Sequence, residues 1–150
     1  MSQTQPTDVD FDIEKEVWNT YDLVDGTRVK MRSVLIKLVR FPSSAKVGEF
    51  DYNASFQNLV TAFVHPRNKG PTGRQYTEQE IASLPKEDVN FTTECEDWNI
   101  YKLPDGTRLK TKLVVSSILK ITEPGVYNLF GEPIYVTNST NVLAPSPRKT

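Results

Sequence analysis

An internal duplication constrains this chain more than any other feature. The segment Trp18-Asn19-Thr20-Tyr21-Asp22-Leu23-Val24-Asp25-Gly26-Thr27-Arg28 returns 80 residues later as Trp98-Asn99-Ile100-Tyr101-Lys102-Leu103-Pro104-Asp105-Gly106-Thr107-Arg108. Over residues 8–41 and 88–121, 15 of 34 aligned pairs are identical. The offset then slips to 83, a three-residue insertion in the second copy, where Gly48-Glu49 meets Gly131-Glu132 and Asn58-Leu59-Val60 meets Asn141-Val142-Leu143. Repeats decide a fold before local propensities do. The organisation expected is a disordered acidic, polar tail (1–7), a β repeat (8–64), a linker with a short helix (65–87), a second β repeat (88–147) and a short tail (148–150). A unit of about 60 residues buries only ~60% of its extended-chain surface. The copies are therefore expected to pack on each other, with pseudo-two-fold symmetry standing in for that of a homodimer. Separate barrels and one interlaced sheet system both remain open.

The repeated segment reads as a hairpin. Asp tolerates the bridge conformation, Gly supplies a positive φ, and Pro104 presets the first turn position of the second copy. A three-residue loop pairs Leu23 with Thr27, Tyr21 with Val29 and Asn19 with Met31. On the other face Asp22 meets Arg28, Thr20 meets Lys30 and Trp18 meets Arg32. Side chains alternate across a strand, so one face is Tyr/Leu/Val and the other is charged. Asn19 and Asn99 fall on the apolar face, which marks them as buried amides bonded to backbone. The following strand alternates from Thr27 to Met31 and is then almost solidly apolar from Val34 to Val39. Leu113-Val114-Val115 and Ile118-Leu119 repeat that change. Such a run suggests a strand that bends and is buried on both faces, as at the corner of a closed barrel. With four or five short strands per copy, the fold expected is all-β. It would hold two tandem SH3-like or Sm-like barrels or half-barrels, a likeness of architecture alone.

The connector contains His65-Pro66-Arg67-Asn68-Lys69-Gly70-Pro71-Thr72-Gly73-Arg74, which reads as an exposed linker. Thr77-Glu78-Gln79-Glu80 has the capping-box pattern, and Pro85 stops the short helix that follows.

Little in the chain points to catalysis. His65 is the only histidine and stands beside a proline in the linker; Cys95 is the only cysteine, aligned with Lys15 of the first copy. One cysteine excludes an intrachain disulfide framework and a Cys-based zinc site. There is no Gly-rich phosphate loop and no His-rich metal pattern, so no cofactor or metal is expected. No apolar run approaches the ~20 residues that cross a bilayer. The polar N-terminus is unlike a signal peptide. A cytoplasmic protein is expected, one in which Asn53-Ala54-Ser55, Asn90-Phe91-Thr92 and Asn138-Ser139-Thr140 are chance glycosylation matches.

What both copies keep on the charged face is a tryptophan with cations: Trp18 with Arg28, Lys30 and Arg32, and Trp98 with Arg108, Lys110 and Lys112. Glu16 and Glu96 share that face. Three readings compete. The tryptophans can be buried between the copies, can form local cation–π clusters, or can be stacking platforms flanked by phosphate-binding cations. Charge runs in four blocks: about −6 over 1–26, +7 over 27–74, −6 over 75–107 and +4 over 108–150. Acidic first strands paired with basic second strands neutralise locally. Arg67, Lys69 and Arg74, joined by Arg148 and Lys149, form a candidate basic patch without a nearby acidic complement.

Three functions follow, in order of preference. The first is a non-catalytic interaction module that binds a protein partner or self-associates. The second is a single-stranded nucleic-acid binder using the tryptophans and the Arg/Lys rows. The third is an enzyme with a carboxylate-lined cleft between the repeats.

Overall fold

A computed structural model describes residues 5–146. Ten strands are assigned: β1 (Thr7–Asp8), β2 (Asp12–Lys15), β3 (Asn19–Leu23), β4 (Arg28–Pro42), β5 (Phe50–Phe63), β6 (Lys86–Asp88), β7 (Phe91–Cys95), β8 (Asn99–Lys102), β9 (Arg108–Ile121) and β10 (Tyr135–Ser146). The connector after β5 holds a 3-10 turn (Pro66–Asn68) and α1 (Glu78–Ser83). The tail residues 1–4 and 147–150, with the Arg148 and Lys149 part of the basic patch, lie outside the described residues.

The strands form two five-stranded antiparallel sheets. One contains β5, β4, β3, β1 and β7, the other β10, β9, β8, β6 and β2. Each sheet therefore borrows a strand from the other copy. β1 pairs with the far end of β4 (Thr7 opposite Arg40), and Val9 N–H donates to Leu38 O at 2.9 Å. The chain then crosses over, and β2 pairs with β8 (Asp12 opposite Lys102). The second copy repeats this: β6 pairs with β9 (Glu87 opposite Lys120), and β7 crosses to β3 (Thr92 opposite Asp22).

This exchange corrects the barrel expectation. Neither sheet closes on itself, because the strand available to close it is donated to its neighbour, leaving β5 and β10 as long outer edges. Closure would also leave each copy with its own small core, whereas exchange builds cores from both. One core combines Tyr21, Leu23, Val29 and Met31 with Val89, Leu113, Val115 and Ile118. The other combines Tyr101, Leu103 and Leu109 with Leu35 and Leu38, and Val9 and Phe11 pack against it.

The hairpins form as the sequence indicates. Asn19 pairs Met31, Thr20 pairs Lys30, Tyr21 pairs Val29 and Asp22 pairs Arg28. Gly26 and Gly106 have φ of 90° and 88°. Asp25 Oδ1 and Asp105 Oδ1 each accept the N–H of the threonine two residues on, at 2.9 Å. The apolar run in β4 has a different cause from burial on both faces. The β4–β5 register shifts between Leu35 and Lys37, leaving Ile36 as an exposed bulge residue. Buried positions run Val29, Met31, Ser33, Leu35 and then resume at Leu38. The bulge changes which face each parity meets, so apolar residues on both sides of it read as continuous. The β9–β10 pairing shifts at the equivalent place, beside Ser116.

The connector also differs from a free linker. It is strapped to the loop that carries the three-residue insertion: Gly70 N–H donates to Gly131 O at 2.8 Å, Gly73 to Asn128 O at 2.9 Å and Arg74 to Tyr127 O at 3.2 Å. A Cβ on Gly73 would stand 1.8 Å from Tyr127 O, so only glycine permits that approach. The capping box of α1 is made in full by Thr77 and Glu80.

Candidate functional site

The residues common to both copies are absorbed in holding the copies together. Asn19 Nδ2 donates to Leu113 O at 3.1 Å, and Asn99 Nδ2 donates to Ser33 O at 3.1 Å. Their Oδ1 atoms accept Asp97 N–H at 3.2 Å and Val17 N–H at 2.9 Å. Both amides are buried, so each polar atom is matched across the exchange. The Tyr21 hydroxyl donates to Glu96 at 2.8 Å and the Tyr101 hydroxyl to Glu16 at 2.9 Å. Burial, with the partner carboxylate second, raises both phenol pKa values well above the ordinary tyrosine range.

Glu16 also accepts Arg32 Nε at 2.9 Å and Nη2 at 2.5 Å, and Glu96 faces Lys112 at 3.9 Å. Arg32 lies over Trp18 at 5.9 Å and Lys112 over Trp98 at 5.6 Å. The tryptophan, cation and carboxylate predicted to share a face do so in both copies. The tryptophans are neither fully buried nor free: Trp18 is 39% exposed and Trp98 is half-buried. Arg28 is bound through two contacts to Asp22, Arg108 binds Glu14 at 3.0 Å, and Lys30 lies over Phe63 at 5.7 Å. Lys110 is exposed on β9. Most of the cation rows are thus matched by carboxylates on neighbouring strands.

The linker cations separate. Arg67 donates to Asp25 O at 2.9 Å, and Lys69 is exposed. Arg74 is ion-paired with Glu80 and stacks on Tyr76 at 3.9 Å. Glu80 is thereby held at about 2, chiefly by Arg74, and it supplies the acidic complement six residues along the chain. His65 caps the 3-10 turn, its Nδ1 accepting Arg67 N–H at 3.2 Å, and Cys95 is an exposed thiol. The acidic clusters are similarly engaged, with Glu14 bridging Lys102 and Arg108.

Asp25 is the most heavily coordinated carboxylate of the turns. Its Oδ2 accepts the Tyr135 hydroxyl at 2.6 Å and Lys120 at 3.3 Å. Burial works to raise its pKa, but hydrogen bonds from Tyr135, Thr27 and Lys120 outweigh it and hold the carboxyl below the usual range. Its counterpart Asp105 meets Arg40, the residue equivalent to Lys120, at 3.1 Å. Turn and cation again join opposite copies.

Apart from these ties there is a cleft of about 510 Å³. Its walls are residues 60–62 of β5, connector residues 74–76, Ile81 of α1, and the insertion loop at 128–130 and 132–135. Leu129 and Phe130 rise at its mouth, 55% and 78% exposed. Three of its polar groups are engaged: Arg74 with Glu80, Glu132 with Asn128 at 3.3 Å, and Tyr135 with Asp25. Val60, Ala62, Ile81, Leu129 and Phe130 give it a largely apolar lining. The residues shared by the copies do not point to this cleft, because the connector and the insertion loop complete it against the repeat strands. The signal was the insertion itself, together with the glycines of the connector.

No protein-family model, no curated protein and no solved structure matches this chain.

Proposed function

We propose that this protein is a non-catalytic binding module whose ligand site is the apolar cleft between β5, the connector and the insertion loop. The duplicated strand-exchanged unit, with its pseudo-two-fold relation between copies, acts as the scaffold. One observation carries the reading. The polar side chains repeated in both copies are mostly spent on ties between the copies or on pairs within one copy, whereas the cleft lies where the connector and the insertion loop meet β5. Exposed Leu129 and Phe130 beside it are large apolar side chains in contact with solvent, the kind of surface that marks interaction sites. A protein partner suits such a cleft better than nucleic acid, because binding to phosphates needs unpaired cations and the Arg/Lys rows are mostly matched. No helix among the described residues is long and apolar enough to cross a membrane. A cytoplasmic location is in keeping with an unpaired, exposed Cys95.

The test uses an anilinonaphthalene sulfonate probe with amide chemical shifts as the readout. Shifts confined to residues 60–62 and 128–135, weakened by Val60→Glu without loss of folding, support the cleft as the site. Shifts elsewhere, or none, remove it. In parallel, single-stranded RNA and DNA are titrated at about 50 mM salt and again at higher salt. Tight binding that weakens with salt would turn the reading towards nucleic acid.

A further inference from the structure

We propose that the occupant of the cleft is an extended, largely apolar peptide segment that adds as a further strand to the free edge of β5 at residues 60–62; this rests on the cleft being the binding site. β5 is hydrogen-bonded to β4 along one side only, with Thr61 opposite Lys30. No other backbone hydrogen bond reaches β5 among the described residues. Side chains of successive strand residues point to opposite faces. Yet Val60, Thr61 and Ala62 all line the cleft. A cavity touching three consecutive residues of a strand reaches its edge, and β4 occupies the other edge. Val29 of β4, opposite Ala62, lines it too, so the cleft spans the sheet face and the side of β5 whose N–H and C=O groups are unpaired, the groups a docking strand needs.

The composition of this edge agrees. Exposed edges are ordinarily blunted by charge, proline or brevity. The short outer strands β2 and β7 carry Asp12, Glu14, Lys15 and Glu94. β5 runs for 14 residues with Asp51 as its one charged side chain and no proline or glycine. Nothing in it repels an incoming strand. The remaining walls select the occupant. Ile81, Leu129 and Phe130 offer apolar contacts, and Arg74 is already ion-paired with Glu80, so apolar side chains suit the cleft and an acidic one would find no free cation among the lining residues. Connector residues 74–76 and Phe130 line the same cleft, so an extended segment along β5 would also meet the connector and the insertion loop.

The experiment selects displayed random heptapeptides against the full chain and measures the winners by fluorescence anisotropy and amide shifts. The expected winners alternate apolar and polar residues, shift residues 60–62 and 128–130, and lose about tenfold or more in affinity when alternate backbone nitrogens in one register are methylated. Methylation in the other register should leave affinity nearly unchanged. Peptides that bind the cleft but tolerate methylation in both registers overturn strand addition while leaving the cleft as the site. Binding of the anilinonaphthalene probe alone, with no peptide selected, overturns it in the same way. If neither peptide nor probe touches the cleft, both readings fall. A chain that doubles in mass with concentration, broadening amides throughout β5, assigns the edge to self-association and overturns the peptide proposal.

Discussion

Removing the Glu16 carboxylate should break a tie between the two copies. The Glu16 side chain is 4% exposed and serves two donors from opposite copies, Arg32 and Tyr101. In Glu16→Ala, Arg32 has a third of its side chain in solvent and can turn to water, so its loss costs on the order of 1 kcal/mol. The Tyr101 hydroxyl cannot do the same, because that residue has no exposed surface. An orphaned buried hydroxyl costs about 1–3 kcal/mol. The total expected is about 2–4 kcal/mol, a fall in Tm of roughly 5–15 °C for a domain of this size. Glu14→Ala is the internal control. Glu14 also bridges two cations, Lys102 and Arg108, but is 27% exposed, so it should cost no more than about 1 kcal/mol.

Urea denaturation followed by circular dichroism reads both variants. A double-mutant cycle with Tyr101→Phe isolates the tie. Tyr101→Phe alone leaves Glu16 with Arg32 and should cost about 1–1.5 kcal/mol. On that background, Glu16→Ala should cost only the arginine contribution, giving a coupling of about 1–3 kcal/mol. Additive costs, or a Glu16 variant no worse than the Glu14 control, would refute the assignment of this carboxylate as a buried link.

Four further outcomes follow from the same geometry. In a spectrophotometric titration, three of the six tyrosines (Tyr21, Tyr101 and Tyr135) should stay protonated past pH 10 and ionise only as the protein unfolds. Their folded pKa values lie above the unfolded value, so their contribution is intact below about pH 10 and is lost as pH rises beyond it; six phenols ionising together near pH 10 would contradict this. Asp25 has the opposite sign: its folded pKa lies below 3.8, so its contribution is present above that pH and lost on acidification, and Asp25→Asn should flatten the acid limb of stability. Gly73→Ala should detach the connector from Tyr127, seen as faster amide exchange at residues 73 and 74 and weakened probe binding, with the two cores intact. Iodide should quench Trp18 more than Trp98, and Trp18→Ala should cost about 1 kcal/mol, since its cation–π partner is partly exposed; global unfolding of that variant would mean the indole is a core residue.

The hairpins were legible because their determinants are local. An Asp-Gly-Thr turn fixes its own register, and the alternation around it places Tyr21 inward and Arg28 outward without reference to the rest of the chain. Asn19 and Asn99 were legible for a related reason, as polar residues on an apolar face kept in both copies. Which sheet β2 and β7 join was not legible. The two copies are so alike there that Asp12–Lys15 and Phe91–Cys95 fit either sheet by pattern, and the choice is made by where the chain changes sheets, after Val9 on Leu38 and after Val89 on Ile118. The bulge at Ile36 was hidden similarly, because a one-residue shift of face and burial on both faces write the same apolar run.

Duplication explains why the candidate site lies where the copies differ. In a strand-exchanged pair, a residue repeated in both copies meets the other copy twice over, once as donor and once as acceptor, as Tyr21 with Glu96 and Tyr101 with Glu16 do. A change at such a position loosens a contact between the copies, against a total stability of only about 5–15 kcal/mol. The insertion loop and the connector carry no such double constraint. They pack on each other through Gly70, Gly73 and Gly131, beside one end of β5, and they enclose the cleft there. A single site at that place predicts one ligand per chain. A stoichiometry of two, measured by titration calorimetry with a selected peptide, would move the site to a feature both copies share.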